Sequence, residues 1–277
     1  MEARANILQI DVEDWYHDLA MSEWHRYPST VVADTERVLS ILGEMDTTAT
    51  FFVLGPVAEQ FPHLVWDIAA RGHEVATHGY RHTPLTRQTP SEFEDDLERS
   101  IRALEGVTGE RVLGHRACQF SLNEETAWAI DIVRKGGLAY DSSIFPARTP
   151  LYGVPDAPRF PYRISSSDIR ADDRGADLVE LPLSVFKVPL AGVNVPVAGG
   201  FYLRLFPYCF IRYAIGQIHR LGQPAVCYLH PWELDPGQPR LRSLGWYHYH
   251  RLSQTEARFR RLLADFRFTS VKGFLGL

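Results

Sequence analysis

Apolar residues fall into short unbroken runs, separated by longer stretches in which they recur every three or four positions. The runs read as buried strands over 7–12, 49–54, 74–77, 112–114, 178–182 and 225–229, with 268–271 as a closing strand. The periodic stretches read as helices. In 29–43, Val32, Val38, Leu39 and Leu42 share a face and Gly43 is a stop signal. In 56–70, Val57, Phe61, Leu64, Val65 and Ile68 do the same, and Gly72 closes the helix. Further helices are predicted over 91–104, 124–135, 207–221 and 256–266.

Strand and helix alternate, which argues a parallel β/α architecture, open or closed into a barrel. In either form chemistry gathers where strands end. Asp11, His78 and Arg116 all stand at such ends. The rhythm breaks over 146–200, where Pro146, Pro150, Pro155, Pro158 and Pro161 mark a loop-rich insertion. Ala198-Gly199-Gly200-Phe201 reads as a tight turn, and 246–250, by its alternation, as an extended surface segment without chemistry. No repeat or linker interrupts the chain, so one domain over 1–277 is expected, with 235–277 as a C-terminal extension.

Composition narrows the partners. The 277 residues carry a net charge of -5, which offers no basic footprint for nucleic acid. No apolar run reaches the roughly 18 residues that a membrane span needs. The start, through Asn6, lacks the apolar core of a signal peptide. Cys118, Cys209 and Cys227 are odd in number and widely spaced, which fits neither a disulfide framework nor a Cys-x-x-Cys site. The expected location is the cytoplasm or the inner face of its membrane. Nothing in the sequence sets an oligomeric state. Twelve per cent aromatic residues suit a sugar-stacking groove or a large core.

Two features carry chemistry. His78 and His82 are four apart, so a helix or helix-like turn would aim both imidazoles at one cation. Asp11-Val12-Glu13-Asp14 ends an apolar strand, where carboxylates are expensive to bury without a cation. Asp11 and Glu13 would share one side of the strand, and Asp14 could join them. Two histidines and one carboxylate leave positions open for water and substrate. A cation there polarises a carbonyl and acidifies water. A second carboxylate would serve as base, Arg116 would orient it, and His230 would protonate a leaving nitrogen or stabilise an oxyanion. The sum is metal-assisted hydrolysis of an amide or ester.

The ordered set Leu8-Gln9-Ile10-Asp11, Thr77-His78-Gly79-Tyr80-Arg81-His82, Arg116, Tyr140-Asp141-Ser142-Ser143 and Leu229-His230-Pro231 resembles the polysaccharide deacetylase family with its NodB homology domain, a carbohydrate esterase group. Asp11-Val12-Glu13-Asp14-Trp15, Ala198-Gly199-Gly200 and Leu229-His230-Pro231-Trp232-Glu233 resemble its exosortase-linked exopolysaccharide subgroup. The resemblance implies a distorted (β/α) barrel and metal-dependent removal of N-acetyl groups from amino sugars of an exopolysaccharide or its oligosaccharide precursor, with zinc as the expected ion. It implies His78 and His82 on the metal, Asp11 as base, Arg116 holding it, Asp141 as a further catalytic acid residue and His230 as catalytic acid. The family's adjacent aspartates are here Asp-Val-Glu-Asp, so either Glu13 or Asp14 is the third ligand. Cys118 stands where the family commonly has proline, as a packing substitution or a redox-sensitive thiol. Trp232, Gly200 and Phe201 are the candidate substrate contacts. Two other functions compete: a small-molecule amide hydrolase on the same fold, whose site should be enclosed, and a carbohydrate-binding protein that has lost activity.

Overall fold

The computed structural model describes residues 5–189 and 191–277. Met1 to Arg4 of the predicted leaderless start, and Leu190 within the predicted insertion, lie outside the described residues. The main sheet uses β1 (Asn6–Val12), β2 (Thr50–Val53), β3 (Glu74–Thr77), β4 (Gly114–His115), β5 (Tyr140–Asp141), β6 (Tyr162–Arg163) and β7 (Val179–Glu180). A separate hairpin pairs β8 (Val185–Lys187) with β9 (Asn194–Pro196), and β10 (Val226–Leu229) and β11 (Phe268–Thr269) return to the main sheet. The order is β10-β1-β2-β3-β4-β5-β7-β6, with β11 beside the start of β1. All these pairs are parallel except β6 with β7.

The sheet curls into the distorted barrel that the resemblance implied. Irregular chain, not a strand, covers the far edge of β10. Ser184 N donates to Val226 O (3.1 Å) and Tyr228 N donates to Ala198 O (2.9 Å). Alternation along β1 sorts its side chains between two cores. Leu8, Ile10 and Val12 pack outward against α1 (Val31–Glu44), α3 (Pro62–Ala70) and α4 (Pro90–Thr108). Ile7, Gln9 and Asp11 therefore face the barrel interior with Phe52, Tyr140 and Tyr228.

Register places the chemistry. Asp11 lies beside Phe52, Val53 beside Thr77, Thr77 beside His115, and Ile10 beside Leu229. The residues just past these ends, His78, Arg116 and His230, therefore meet on one rim.

Several sequence expectations change. The predicted helix 56–70 is two, α2 (Gly55–Gln60) and α3, because Pro62 lacks the N–H that a continuous ladder needs and starts a new helix at its first turn. The predicted 124–135 helix is a 3-10 turn at Glu124–Thr126 and then α5 (Ala129–Lys135). Gly200 is not in a tight turn but opens α6 (Gly200–Leu205), which precedes α7 (Tyr208–Arg220). The segment expected to be extended is a helical turn, α8 (Trp246–Tyr249), before α9 (Thr255–Asp265) and α10 (Val271–Leu275). Among the described residues, no helix is long and apolar enough to cross a membrane.

Candidate active site

Arg116 follows β4 and is wholly buried. A buried guanidinium is tolerable only when its donors are met. Nη1 donates to Asp11 Oδ1 (2.6 Å), Nε to Ser142 O (2.9 Å), and Nη2 to Ser142 Oγ (3.1 Å) and Gln9 Oε1. The Phe52 ring lies 4.4 Å away. Asp11 is thereby fixed through one oxygen, and its other oxygen is 3.9 Å from His230 Nε2.

His78 comes directly off β3. His82 reaches the same point without a helix. Gly79 (φ 80°) and His82 itself (φ 51°) are left-handed, and Asp96 holds the loop between them by accepting from Tyr80 N (2.6 Å) and Arg81 N (2.9 Å). A non-glycine residue in this region is strained, and strain of this kind concentrates at functional positions. The two rings are 5.2 Å apart.

Each Nδ1 faces a carbonyl: Arg116 O for His78 (2.9 Å) and His17 O for His82 (3.0 Å). A carbonyl accepts only, so Nδ1 carries the hydrogen, and in the neutral ring Nε2 presents its lone pair. Glu13 Oε2 lies 2.9 Å from His82 Nε2 and 3.9 Å from His78 Nε2. The three ligand atoms are within 4.8 Å of one another. Glu13 Oε2 is buried with no hydrogen-bond donor. Two oriented lone pairs and an orphaned carboxylate oxygen, aimed at one point, fit a divalent cation. Burial disfavours charge on Glu13, but His82, His230 and His78 outweigh it and hold the carboxyl well below its usual range. Burial pulls His78 down to about 4, whereas Glu13 overcomes burial at His82 and lifts it to about 9.

Asp14 is not part of this trio, which corrects its place as a possible metal ligand. Its Oδ1 accepts from Thr30 N (2.7 Å) and Val31 N (3.0 Å), and its Oδ2 from Ser29 Oγ (2.6 Å) and Tyr16 Oη (3.1 Å). It caps the start of α1, where free N–H groups and the helix dipole favour an anion.

His230 follows β10. Its Nε2 lies 3.4 Å from Glu13 Oε1, and its Nδ1 lies 3.3 Å from Glu233 Oε2. Glu233 Oε1 pairs in turn with Arg204 Nη2 (2.6 Å), both groups being buried. Burial opposes a charged imidazole, yet Glu13 and Glu233 raise His230 to about 9. Glu233 is itself held at about 2, because Arg204 and His230 outweigh its burial. Gly200 makes room for this pair: a Cβ there would lie 1.9 Å from Glu233 Oε2.

Two further expectations need correction, at Asp141 and Gly200, and a third, at Trp232, needs refinement. Asp141 does not reach the cleft; it is bound to His115 Nδ1 (2.6 Å) and Ser143 N (3.0 Å), beneath the rim. Trp232 lines the cleft as expected, but with both faces largely covered rather than as an open sugar platform. It is 6% exposed, stacked on His248 at 4.1 Å and on His230 at 5.1 Å, and its Nε1 donates to Glu13 Oε1 (3.3 Å). Gly200 serves Glu233 rather than a ligand, whereas Phe201 does line the cleft. Cys118 is buried and its thiol is pushed well up by burial, as a packing residue's would be.

Sequence reasoning passed over His17, Arg204 and Glu233 as functional residues. Only Glu233, three residues beyond His230, carried a visible signal. The site opens into a cleft of about 640 Å³, whose outer lip includes the exposed Leu151, Trp246 and Tyr247.

Residues 26–140 match the family model described as polysaccharide deacetylase, and residues 142–276 match a domain of unknown function (DUF3473). A chitooligosaccharide deacetylase of Bradyrhizobium sp. (strain ANU 289) is 32% identical over 108 residues, 38% of this chain and 47% of that protein. A peptidoglycan deacetylase-like protein of Gibberella zeae is 32% identical over 118 residues, 42% of this chain and 34% of that one. The matched segments thus span less than half the length of these relatives. A provisionally named polysaccharide deacetylase from Mycobacterium smegmatis superposes with a TM-score of 0.64 and 25% identity, over 94% of this chain and 82% of that one. An allantoinase shares the fold, with a TM-score of 0.62 and 16% identity over 98% of this chain and 88% of that one.

Proposed function

We propose, from the premise that residues 26–140 carry a polysaccharide deacetylase domain, that the chain removes N-acetyl groups from amino sugars by metal-dependent hydrolysis. The observation that carries the reading is the meeting of three units on one rim. They are the Glu13, His78 and His82 trio, the Asp11–Arg116 pair and the His230–Glu233 pair. Zinc fits the donor set of two imidazoles and one carboxylate. The cation supplies Lewis-acid polarisation of the acetyl carbonyl.

The chain's own groups do the proton work. Asp11, fixed through one oxygen by Arg116, uses the other to take a proton from the attacking water. His230 Nε2 gives a proton to the amine nitrogen as the C–N bond breaks, leaving acetate and a free amine. Glu233 holds the ring through Nδ1, which keeps Nε2 turned to the cleft. The substrate we favour is an exopolysaccharide or its oligosaccharide precursor, in line with the exosortase-linked motifs. A cleft lipped by exposed aromatic side chains supports a saccharide chain over a small ureide.

The test is acetate release from N-acetylated oligosaccharides with and without chelator, together with metal analysis of the purified protein. Release that needs a metal and returns on zinc addition is expected. Full release under complete chelation would remove the metal from the reaction.

A further inference from the structure

The cleft does not end at its own walls. Gln119, Phe120 and 149–152 line both it and a second groove of about 540 Å³. The two spaces differ in charge. Asp11, Glu13, Asp18 and Glu233 line the cleft, where Arg116 and Arg204 pair with Asp11 and Glu233 and histidines stand among them. No carboxylate lines the groove, which instead carries Arg87 and Arg148. Both arginines are exposed, and neither pairs with a carboxylate among the described residues. Some exposed arginines, such as Arg71, Arg99 and Arg260, do pair, while others, such as Arg220 and Arg242, are like these two without a carboxylate among the described residues; what sets Arg87 and Arg148 apart is that they share one groove. Glu124 stands beside the groove's Asn123 but is engaged by Arg170 at 3.0 Å.

The groove is also built rather than loose. Leu85 N donates to Ser121 Oγ (3.0 Å), tying the loop that carries Arg87 to the loop after β4. Tyr152 N donates to Thr149 Oγ1 (3.0 Å), which closes the turn after Arg148. The ridge shared with the cleft is strained: Gln119 (φ 53°) and Phe120 (φ 50°) are successive non-glycine residues in the left-handed region. Gln119 Nε2 is held by Asp18 Oδ1 (3.0 Å), and the Phe120 ring packs on Tyr228 at 5.0 Å. Backbone strain held in place by its surroundings, at the border of a reactive cleft, marks a functional surface.

We propose that this groove seats a carboxylate-bearing sugar, a uronate, on the same saccharide chain whose N-acetyl group enters the cleft. The substrate class is therefore an acidic polysaccharide or oligosaccharide, and this rests on the deacetylase reading above. A protein of net charge -5 repels a polyanion at a distance, so an acidic chain needs a local basic seat beside the cleft. A guanidinium offers a planar fork that matches a carboxylate.

Calorimetric titration with two probes tests it. Hyaluronan tetrasaccharide alternates N-acetylglucosamine with glucuronate, and chitotetraose is its neutral counterpart. The wild-type chain should bind the acidic probe about tenfold more tightly. The advantage should vanish in an Arg87→Gln, Arg148→Gln double variant and shrink strongly in about 0.5 M salt. Chitotetraose binding should be unchanged in that variant. Equal binding of both probes by wild type, or an advantage that survives in the double variant, overturns the proposal. Binding is read without turnover. Preference without acetate release from either probe would keep the groove and remove the deacetylase reading. Release without preference would do the reverse.

Discussion

His78 and His82, and across from them His230, are the same residue in two different settings. The Nδ1 atoms of the first two face backbone carbonyls, which fix a neutral tautomer with Nε2 free to bind a cation. The Nδ1 of His230 faces the Glu233 carboxylate, which favours the charged ring. Glu13 is the chief cause of the elevation at both His82 and His230, and His230 has the Glu233 carboxylate in addition. The two sides also come from different parts of the chain. The carbonyl-oriented histidines lie within 26–140, and His230, Glu233 and Arg204 lie within 142–276. An imidazole's role is thus decided by what stands behind it.

The largest effect should come from the ligand side. A His78→Ala, His82→Ala double variant should lose bound metal and on the order of a thousandfold in kcat/KM. Retained turnover would break the contrast outright. His230→Gln should keep its metal but lose roughly a hundredfold in kcat, the loss expected of a missing acid. Glu233→Gln should lower kcat about tenfold with metal content intact, and destabilise the fold by about 3 kcal/mol in urea melts because Arg204 is left buried without its counter-ion. Asp14→Ala should cost about 2 kcal/mol of stability through α1 and leave metal content unchanged. A loss of metal would return Asp14 to the ligand set.

The smallest effect lies away from the site, at Asp34 on α1. Burial pushes its carboxyl up to about 6, and its Oδ2 has no partner. A raised folded pKa means that stability is full below the unfolded value and falls as pH rises through about 6. Asp34→Asn should therefore gain up to about 1 kcal/mol over the parent at pH 8, after allowance for screening, and nothing near pH 4. Urea melts at the two pH values check the sign.

Strand ends were legible because parallel strands are apolar runs that stop at polar residues. Asp11, His78, Arg116 and His230 were singled out that way, and the register brings them together. What a side chain does with its lone pairs was not legible, since its partners lie far along the chain. Asp14 and Glu13 are one residue apart, yet one faces the start of α1 and the other the imidazoles. Trp232 looked like a stacking platform because nothing local announces His248 beneath it. The alternation at 246–250 suggests an extended surface segment, but His248 is drawn inward by Trp232 and by Gln238 Oε1, 2.6 Å from its Nε2. Arg204 left no trace at all, because its importance lies wholly in the carboxylate it meets.

β1 sits inside the sheet, with β10 along one edge and β2 along the other, where β11 pairs with its first residues. During synthesis β10 emerges long after β2, so a strand carrying Ile7, Leu8, Ile10 and Val12 waits with one edge of its backbone unmet. Assembly of the rim is therefore a late folding event, and the nascent chain is at its most prone to aggregate just before that closure.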